Sequence, residues 1–579
     1  MTQQMKHLKT TLETTDDGEN DDQKRQQPNI YAKNSMDRFG DDLCALLVSY
    51  LSFEDRFLYE CVSKQFQRTV FESVVDITLS DRFIQRLLKE KRSDIQMLAT
   101  IAIKCANIEC IDCRGISAEY EEHIPEVLNT FRDNCRHLRE IYLTSKSAQT
   151  MPSLGPLVTR IGGINCYTDS EALTHCHRLS HLRTQSFHAL NTLFGHNLHT
   201  FELRSHLGSL NDRWSAFVAH NQSLKCLVFW RFYFGNTISL TEMCGQLSRL
   251  TQLRELTLGL DFDELDGQKS AAVNQCLRTI GVNCKQLKRL SLQLISVDTE
   301  PVFPISLDSL RVYRQLKRLH LTAYATVDDL LLDPLRHCKR LTDLVLCLCQ
   351  SVPPESGRKC LSLYAESLAQ ICGHLSQLPL LRELTLGLVF GSPDGLNCSV
   401  INHSLRSIGV NCKQLYRLSL ELMIFDAIDP TLETSLDSLR CYSRLRRLRL
   451  AIDVAIDDRL LDPLRHCKRL THLELCLRKM TANVLKYMHI NCPRLQYLFI
   501  RDFYSIIDTE CLSHISRLPA LQMLVIDGKN CCDDSEDSEG CGEESNDLSD
   551  NELNAVLSSS PKLKTIEIRV NNEKKFYSK

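Results

Sequence analysis

Long apolar runs are missing from this sequence of 579 residues. Leu43 to Val48 is typical of its longest. A helix needs about 18 apolar residues to cross a bilayer, so no spanning segment and no membrane partner are expected. Met1 to Asn20 is polar and acidic, without the apolar core of a secretory leader, which points to a reducing compartment. The expected location is cytoplasmic and/or nuclear; KRQQ at 24–27 is too short to decide between the two as an import signal. Excess charge is also scarce. Lys and Arg number 69 against 72 Asp and Glu, a net −3, so the chain lacks the overall basic footprint of a nucleic-acid binder. GxxxxGK[ST], GxGxxG, HExxH and GxSxG do not occur, which removes the phosphate-cradling, zinc-protease and serine-hydrolase signatures. The expectation is a non-catalytic protein with no cofactor and no metal.

Cysteine, by contrast, is plentiful, with 27 in the chain. Cys110 and Cys113 make a CxxC, but a strand-like NIECIDC sends residues three apart to opposite faces, where they cannot ligate one ion. Residues 1–37 are dominated by Thr, Asp, Glu, Gln, Asn and Lys and read as a disordered tail. A second biased stretch, 530–550, carries nine acidic residues and no Lys or Arg, and reads as an exposed loop because its charges repel. Ser535 and Ser538, each followed by an acid, are candidate targets of an acid-directed kinase.

Between these segments one phrase recurs. L-x-x-L-x-L starts at Leu253, Leu287, Leu316, Leu341, Leu381, Leu415, Leu445 and Leu470, with isoleucine for leucine at Leu138, Leu495, Leu521 and Leu563, and more weakly at Ile108, Leu179, Leu198 and Leu224. Units of about 20–30 residues with this phrase indicate leucine-rich repeats, over about 73–579. A strand of L-x-L turns its leucines inward and the residue between them outward, so the outward positions form a sheet face with no packing duty. Helical spacing at Cys276, Leu277 and Ile280 suggests a helix on the return path of each unit. The predicted class is α/β, a right-handed leucine-rich-repeat solenoid or horseshoe behind a small all-α module. Cysteine stands three residues before the anchor at Cys135, Cys176, Cys284, Cys338, Cys412, Cys467 and Cys492, with Tyr313 and Tyr442 in that place elsewhere. These corner residues read as packing elements.

A longer period overlies the repeats. LRELTLGL and IGVNCKQL return after 128 residues and LDPLRHCKRLT after 129, a duplication of about 250–350 in 378–480. The outward positions repeat a charge order: Glu255, Arg289, Arg318 and Asp343 in the first block, Glu383, Arg417, Arg447 and His472 in the second. His320 in the first block is matched by Arg449. Strands about 4.8 Å apart bring these arginines side by side. Two readings stay open: stations for carboxylate or phosphate groups of a substrate, or a ladder that neutralises itself. Downstream, Tyr497, Phe499, Arg501 and Met523 have the aromatic and arginine composition of an interface hot spot.

Ahead of the repeats, 38–72 is amphipathic. Leu43, Leu46, Leu47 and Tyr50 fall at i, i+3, i+4 and i+7, then come Phe57, Leu58, Cys61 and Val62, with Ser52 and Asp55 as a capping pair. Val75, Ile77 and Leu79 predict a first cap strand. The module resembles an F-box: Leu43, Leu47, Tyr50, Leu51, Asp55, Val62 and Lys64 match the family pattern. Phe39 and Gly40 stand where the family has leucine-proline, and Phe66 where it has tryptophan. Followed by Cys-type, ribonuclease-inhibitor-like repeats, it has the layout of an F-box/leucine-rich-repeat protein. That resemblance implies a substrate receptor of an SCF-type ubiquitin ligase. Phe39, Leu43, Leu46, Leu47, Tyr50, Leu51, Asp55, Val62, Lys64 and Phe66 would dock on a Skp-type adaptor tied to a cullin scaffold. A protein substrate would lie on Arg289, Arg318, His320, Arg417, Arg447, Arg449, Tyr497, Phe499 and Arg501. A helical cap over an open first repeat, or a repeat scaffold or inhibitor outside any ligase, is the alternative.

Overall fold

The structure is a computed structural model. Its described residues lie within 41–579, outside the segments 52–54, 57–58, 60, 82–93, 118–123, 144–154, 165–171, 185–196, 205–211, 234–236, 263–266, 297–306, 325–331, 350–364, 391–397, 425–435, 453–457, 478–480, 503–506, 529–548 and 571–572. The 1–37 tail, Phe39, Ser52, Phe57, Leu58 and the acidic stretch with Ser535 and Ser538 therefore fall outside the described residues.

Two short helices lead: α1 (Asp41–Val48) and α2 (Lys64–Glu72). The hydroxyl of Ser63 caps α2 by accepting the Phe66 N–H at 3.0 Å. A single sheet follows, with nineteen strands among the described residues, each hydrogen-bonded to the next in chain order. The N-terminal seven are β1 (Asp76–Ser80), β2 (Cys110–Gly115), β3 (Glu140–Leu143), β4 (Val158–Ile164), β5 (His181–Thr184), β6 (Thr200–Leu203) and β7 (Cys226–Tyr233). The duplicated region supplies β8 (Glu255–Phe262), β9 (Arg289–Ser296), β10 (Arg318–Tyr324) and β11 (Asp343–Cys349). Its second copy is β12 (Glu383–Phe390), β13 (Arg417–Ile424), β14 (Arg447–Ile452) and β15 (His472–Leu477). Then come β16 (Tyr497–Asp502), β17 (Met523–Gly528), β18 (Thr565–Val570) and β19 (Glu573–Ser578). Every neighbouring pair is parallel except β18 with β19, which is antiparallel.

This is a leucine-rich-repeat α/β solenoid. Period-two alternation places the inward apolar side chains of the strands, mostly leucines, in one continuous core, as at Leu256, Leu258 and Leu260 or Leu448 and Leu450, all buried. The register aligns them in rows: Leu384 with Leu418, Leu418 with Leu448, Leu448 with Leu473. Burying one such side chain contributes roughly 1.5–3 kcal/mol, and no unit could do so without its neighbours. The expected cap strand is β1, paired in parallel with β2. No helix among the described residues is long and apolar enough to cross a membrane.

The return paths depart from one helix per unit. In each block the 34-residue unit carries a helix, Gly267–Asn283 or Cys398–Asn411. The shorter units close with 3₁₀ turns, Asp308–Val312 and Asp333–His337 in the first block and Asp437–Cys441 and Asp462–His466 in the second. With fewer residues to return in, the backbone takes the tighter turn, and Pro334 or Pro463 starts the last one with a fixed φ. Two strands have no counterpart in the sequence reading: β4, whose inward residues are Val158 and Ile161 rather than leucines, and β19.

The corner residues explain much of the cysteine content. Among the described residues no cysteine forms a disulfide. The Cys284 thiol donates to the Leu250 carbonyl at 3.3 Å, Cys412 to Leu378 at 3.5 Å and Cys467 to Leu439 at 3.3 Å. Each corner thus satisfies a carbonyl of the preceding unit. Asn221 does the same work ahead of Leu224: it accepts the Leu198 N–H at 3.1 Å and donates to the Phe217 carbonyl at 2.9 Å.

Candidate functional site

The helix α1 divides its residues sharply. Cys44 and Val48, one turn apart, are buried, whereas Leu43, Leu46, Leu47 and Tyr50 point outward. Leu46 is 52% exposed and Tyr50 74%. Val62 and Lys64 are also exposed, Asp55 is half-buried, and Leu51 packs against the core. Phe66 differs from the expectation of an available contact residue: it is 4% exposed, because the α2 face that carries it, with Val70 and Phe71, packs into the first unit.

On the open face of the sheet the register brings the arginines together as expected. Arg318 lies beside Arg289, and Arg447 beside Arg417. Arg449 sits between Ser419 and Glu474. Three of these arginines are engaged at home. Arg289 donates to Glu255 at 2.5 Å, Arg318 lies 3.6 Å from Asp343, and Arg417 lies 3.6 Å from Glu383. The self-neutralising ladder therefore holds for them. Among the described residues Arg447 and Arg449 make no ion pair. His320 approaches the Thr322 hydroxyl at 3.3 Å, and burial lowers its pKa from the ordinary histidine value.

The aromatic cluster downstream is more enclosed than an exposed hot spot. Phe499 is 8% exposed, packed with Ala451, Cys476 and Val525 on the outer side of the sheet. Its ring lies under two guanidinium groups, Arg501 at 5.8 Å and Arg569 at 5.7 Å. Arg501 in turn donates two bonds to Asp527, and Arg569 donates to buried Glu567 at 2.8 Å. Apolar side chains on four adjacent strands bury one another there, and the cations above them are already paired. Tyr497 remains half-buried and stacks on His472 with ring centroids 5.6 Å apart.

Recesses open where the chain turns into the strands. The larger, about 600 Å³, lies at the start of β12 to β15 and is lined by Arg382, Arg444, Arg446, Arg447, Arg469 and Glu383. Gln414, Tyr416, Thr471 and His472 complete it. The smaller, about 390 Å³, lies at the start of β9 to β13 and includes Lys288, Lys317, Arg318 and Asp343. Of the larger one's members, the charge order in the sequence includes Glu383, Arg447 and His472, the first residues of β12, β14 and β15; Arg382, Arg444, Arg446 and Arg469 lie in the turns ahead of the strands, outside the L-x-L core of the phrase. The run RRLRL at 446–450 was the available signal. Cys110 is half-buried and Cys113 fully buried, on opposite faces of β2.

Charged and aromatic side chains are thus displayed on the open face of a frame of stacked strands. Neither a protein-family model nor a curated protein sequence matches the chain. Among solved structures, the chain is similar to one described as the Toll–Spatzle complex of Drosophila development and innate immunity. The identity is 13% and the TM-score 0.34, over 78% of this chain and 63% of that one, so this chain spans less than two thirds of the other's length.

Proposed function

We propose that this chain is the substrate-recognition subunit of a Skp-cullin-F-box type ubiquitin ligase. In this reading α1 and the segment up to α2 dock on a Skp-type adaptor carried by a cullin scaffold, and a target protein is held on the solenoid. The carrying observation is the outward stripe of Leu43, Leu46, Leu47 and Tyr50 on α1. A helix serving only to cap the first unit would turn its large apolar side chains inward, whereas α1 keeps only Cys44 and Val48 inside. The chemistry of transfer belongs to the other subunits; this chain supplies placement.

Burial of Phe66 favours a second reading, a repeat scaffold that never joins a ligase, since the F-box tryptophan at that place belongs to the adaptor contact. Capture on purified Skp-type adaptor separates the two. Wild type should be retained, and Leu47→Asp or Tyr50→Asp should weaken retention at least about tenfold, because each puts a charge into a desolvated apolar contact. Both side chains are exposed, so the melting temperature should not move. No capture of wild type, or equal capture of the variants, rules out the ligase reading.

A further inference from the structure

The two duplicated blocks share a backbone but not their balance of charge at the recess before the strands. In the first block Asp343 stands beside Arg318, 3.6 Å away, and accepts the Thr342 hydroxyl at 2.5 Å. Arg340 donates to Gln315 at 2.5 Å. The residues 129 positions on are His472, Arg447, Thr471, Arg469 and Arg444. The carboxylate has become an imidazole and the amide that held the arginine has become a second arginine. An imidazole is neutral or cationic and cannot replace the lost negative charge; burial, then the nearby positive charge of Arg447, lowers the His472 pKa, and its Nδ1 lies 2.9 Å from the Thr471 hydroxyl.

The larger recess is left with one carboxylate, Glu383, and that is already taken. The Tyr416 hydroxyl donates to it, and Arg417 lies 3.6 Å away. Among the described residues Arg382, Arg444, Arg446, Arg447 and Arg469 make no ion pair, and all five are exposed. Five guanidinium groups around one cavity repel one another unless an anion enters. A carboxylate would satisfy one fork; a dianionic phosphate monoester offers three oxygens and can take paired N–H donors from several arginines. A cavity of about 600 Å³ exceeds a phosphoryl group alone and leaves room for the residues flanking it.

We infer that the arginine recess at the start of β12 to β15 is a binding site for a phosphate monoester, presented as a phosphorylated side chain of a partner protein. This deepens the reading of the solenoid as a protein-binding surface and does not depend on adaptor docking. Recognition is by charge-assisted, forked hydrogen bonds, with no bond made or broken in the ligand.

The duplication supplies a variant that the fold tolerates. His472→Asp with Arg444→Gln restores at the second block the residues the first block carries at the same register. The full chain is immobilised and offered a degenerate phosphoserine peptide library, the same library unphosphorylated, and inorganic pyrophosphate. Wild type is expected to retain the phosphorylated library at least about tenfold over the unphosphorylated one, with the double variant losing that preference and keeping its melting temperature. Arg469→Gln, a single exposed change, should weaken retention in the same direction, and it stands as the check if the double variant melts early. Pyrophosphate should compete, and it reports the site's phosphate chemistry apart from the peptide. Retention of both libraries alike, phosphopeptide retention undiminished in Arg469→Gln and the double variant, or binding of pyrophosphate with no phosphopeptide retained each overturns the inference. Adaptor capture on the same preparation reports the ligase reading separately, so failure of one leaves the other standing.

Discussion

At the scale of single residues, the corner before each strand decides how one unit grips the last. Tyr442 takes the place that cysteine holds elsewhere, and its hydroxyl donates 2.6 Å to the Leu405 carbonyl on the preceding helix. Room for the ring comes from Gly409, where a Cβ would lie 2.9 Å from both the Tyr442 ring and the Cys441 Cβ. Tyr313 and Gly281 repeat the arrangement. Gly409→Ala should therefore destabilise: the overpacking costs about 1–3 kcal/mol and outweighs the roughly 1 kcal/mol of helix propensity gained. Gly373→Ala, also helical but with nothing within 4 Å of its Cβ, should stabilise by about 0.5–1 kcal/mol. Denaturant unfolding of the two variants checks this, and shifts of the same sign would refute the packing argument. The cysteine corners make a second prediction, in pH. Burial pushes the thiols of Cys284, Cys338 and Cys467 up to about 12 from an ordinary 9.0. The folded chain holds these protons after the unfolded chain has released them. Their contribution is thus complete below about pH 9 and is lost as pH rises toward 12. Melting temperature should fall through that window, and a Cys284→Ala/Cys467→Ala variant, less stable at pH 7, should fall with a shallower slope. Parallel slopes would remove the thiols from the account.

At the scale of elements, strands were legible and their return paths only partly so. L-x-L fixes the face of every residue it contains, because a one-residue slip would turn the leucines of Leu448 and Leu450 into solvent. The same logic located the neighbouring arginines of β9 with β10 and of β13 with β14. It passed over β4, where Val158 and Ile161 fill the core without leucine, and it could not tell a helix from a 3₁₀ turn where the return path was short. Spacing placed Leu43, Leu46, Leu47 and Tyr50 on one stripe of α1, yet that this stripe is open while Phe66 on α2 faces the solenoid is a fact of docking that local periodicity does not contain. Phe499 escaped for a related reason. Alternation correctly sends it to the outer side of the sheet, but its burial arises from Ala451, Cys476 and Val525 on other strands, dozens of residues away in the chain. The arginine recess was hidden for a simpler one: its cations sit in the turns, and their lack of partners is visible only once the two blocks can be laid side by side.

At the scale of the molecule, a solenoid is a stack of units whose stability is the sum of unit and interface terms, so its open ends carry a cost that the middle does not. At the C-terminal end β19 reverses direction and pairs along the whole of β18, from Thr565 with Ser578 to Val570 with Glu573. Tyr577 donates to Asp550 at 2.5 Å and Lys579 to the Ser560 carbonyl at 2.7 Å, tying the strand to the last helix, Asp550–Ser559. Lys574 also approaches buried Glu567 at 3.6 Å. Deleting 571–579 would strip the edge of β18, leaving its N–H and C=O groups unpaired and Glu567 with one cation fewer. Such an edge templates pairing with another chain. The truncated protein should melt earlier and should associate as its concentration is raised, measured by sedimentation alongside the full chain. Because each unit touches only its neighbours, the loss should remain local: adaptor capture through α1, at the far end of the sheet, should be unchanged. Equal melting temperatures and a monomeric truncation would mean that β18 tolerates exposure and that the antiparallel strand is not the cap. A loss that also abolished adaptor capture would mean that the stack unfolds as one body, contrary to nearest-neighbour stability.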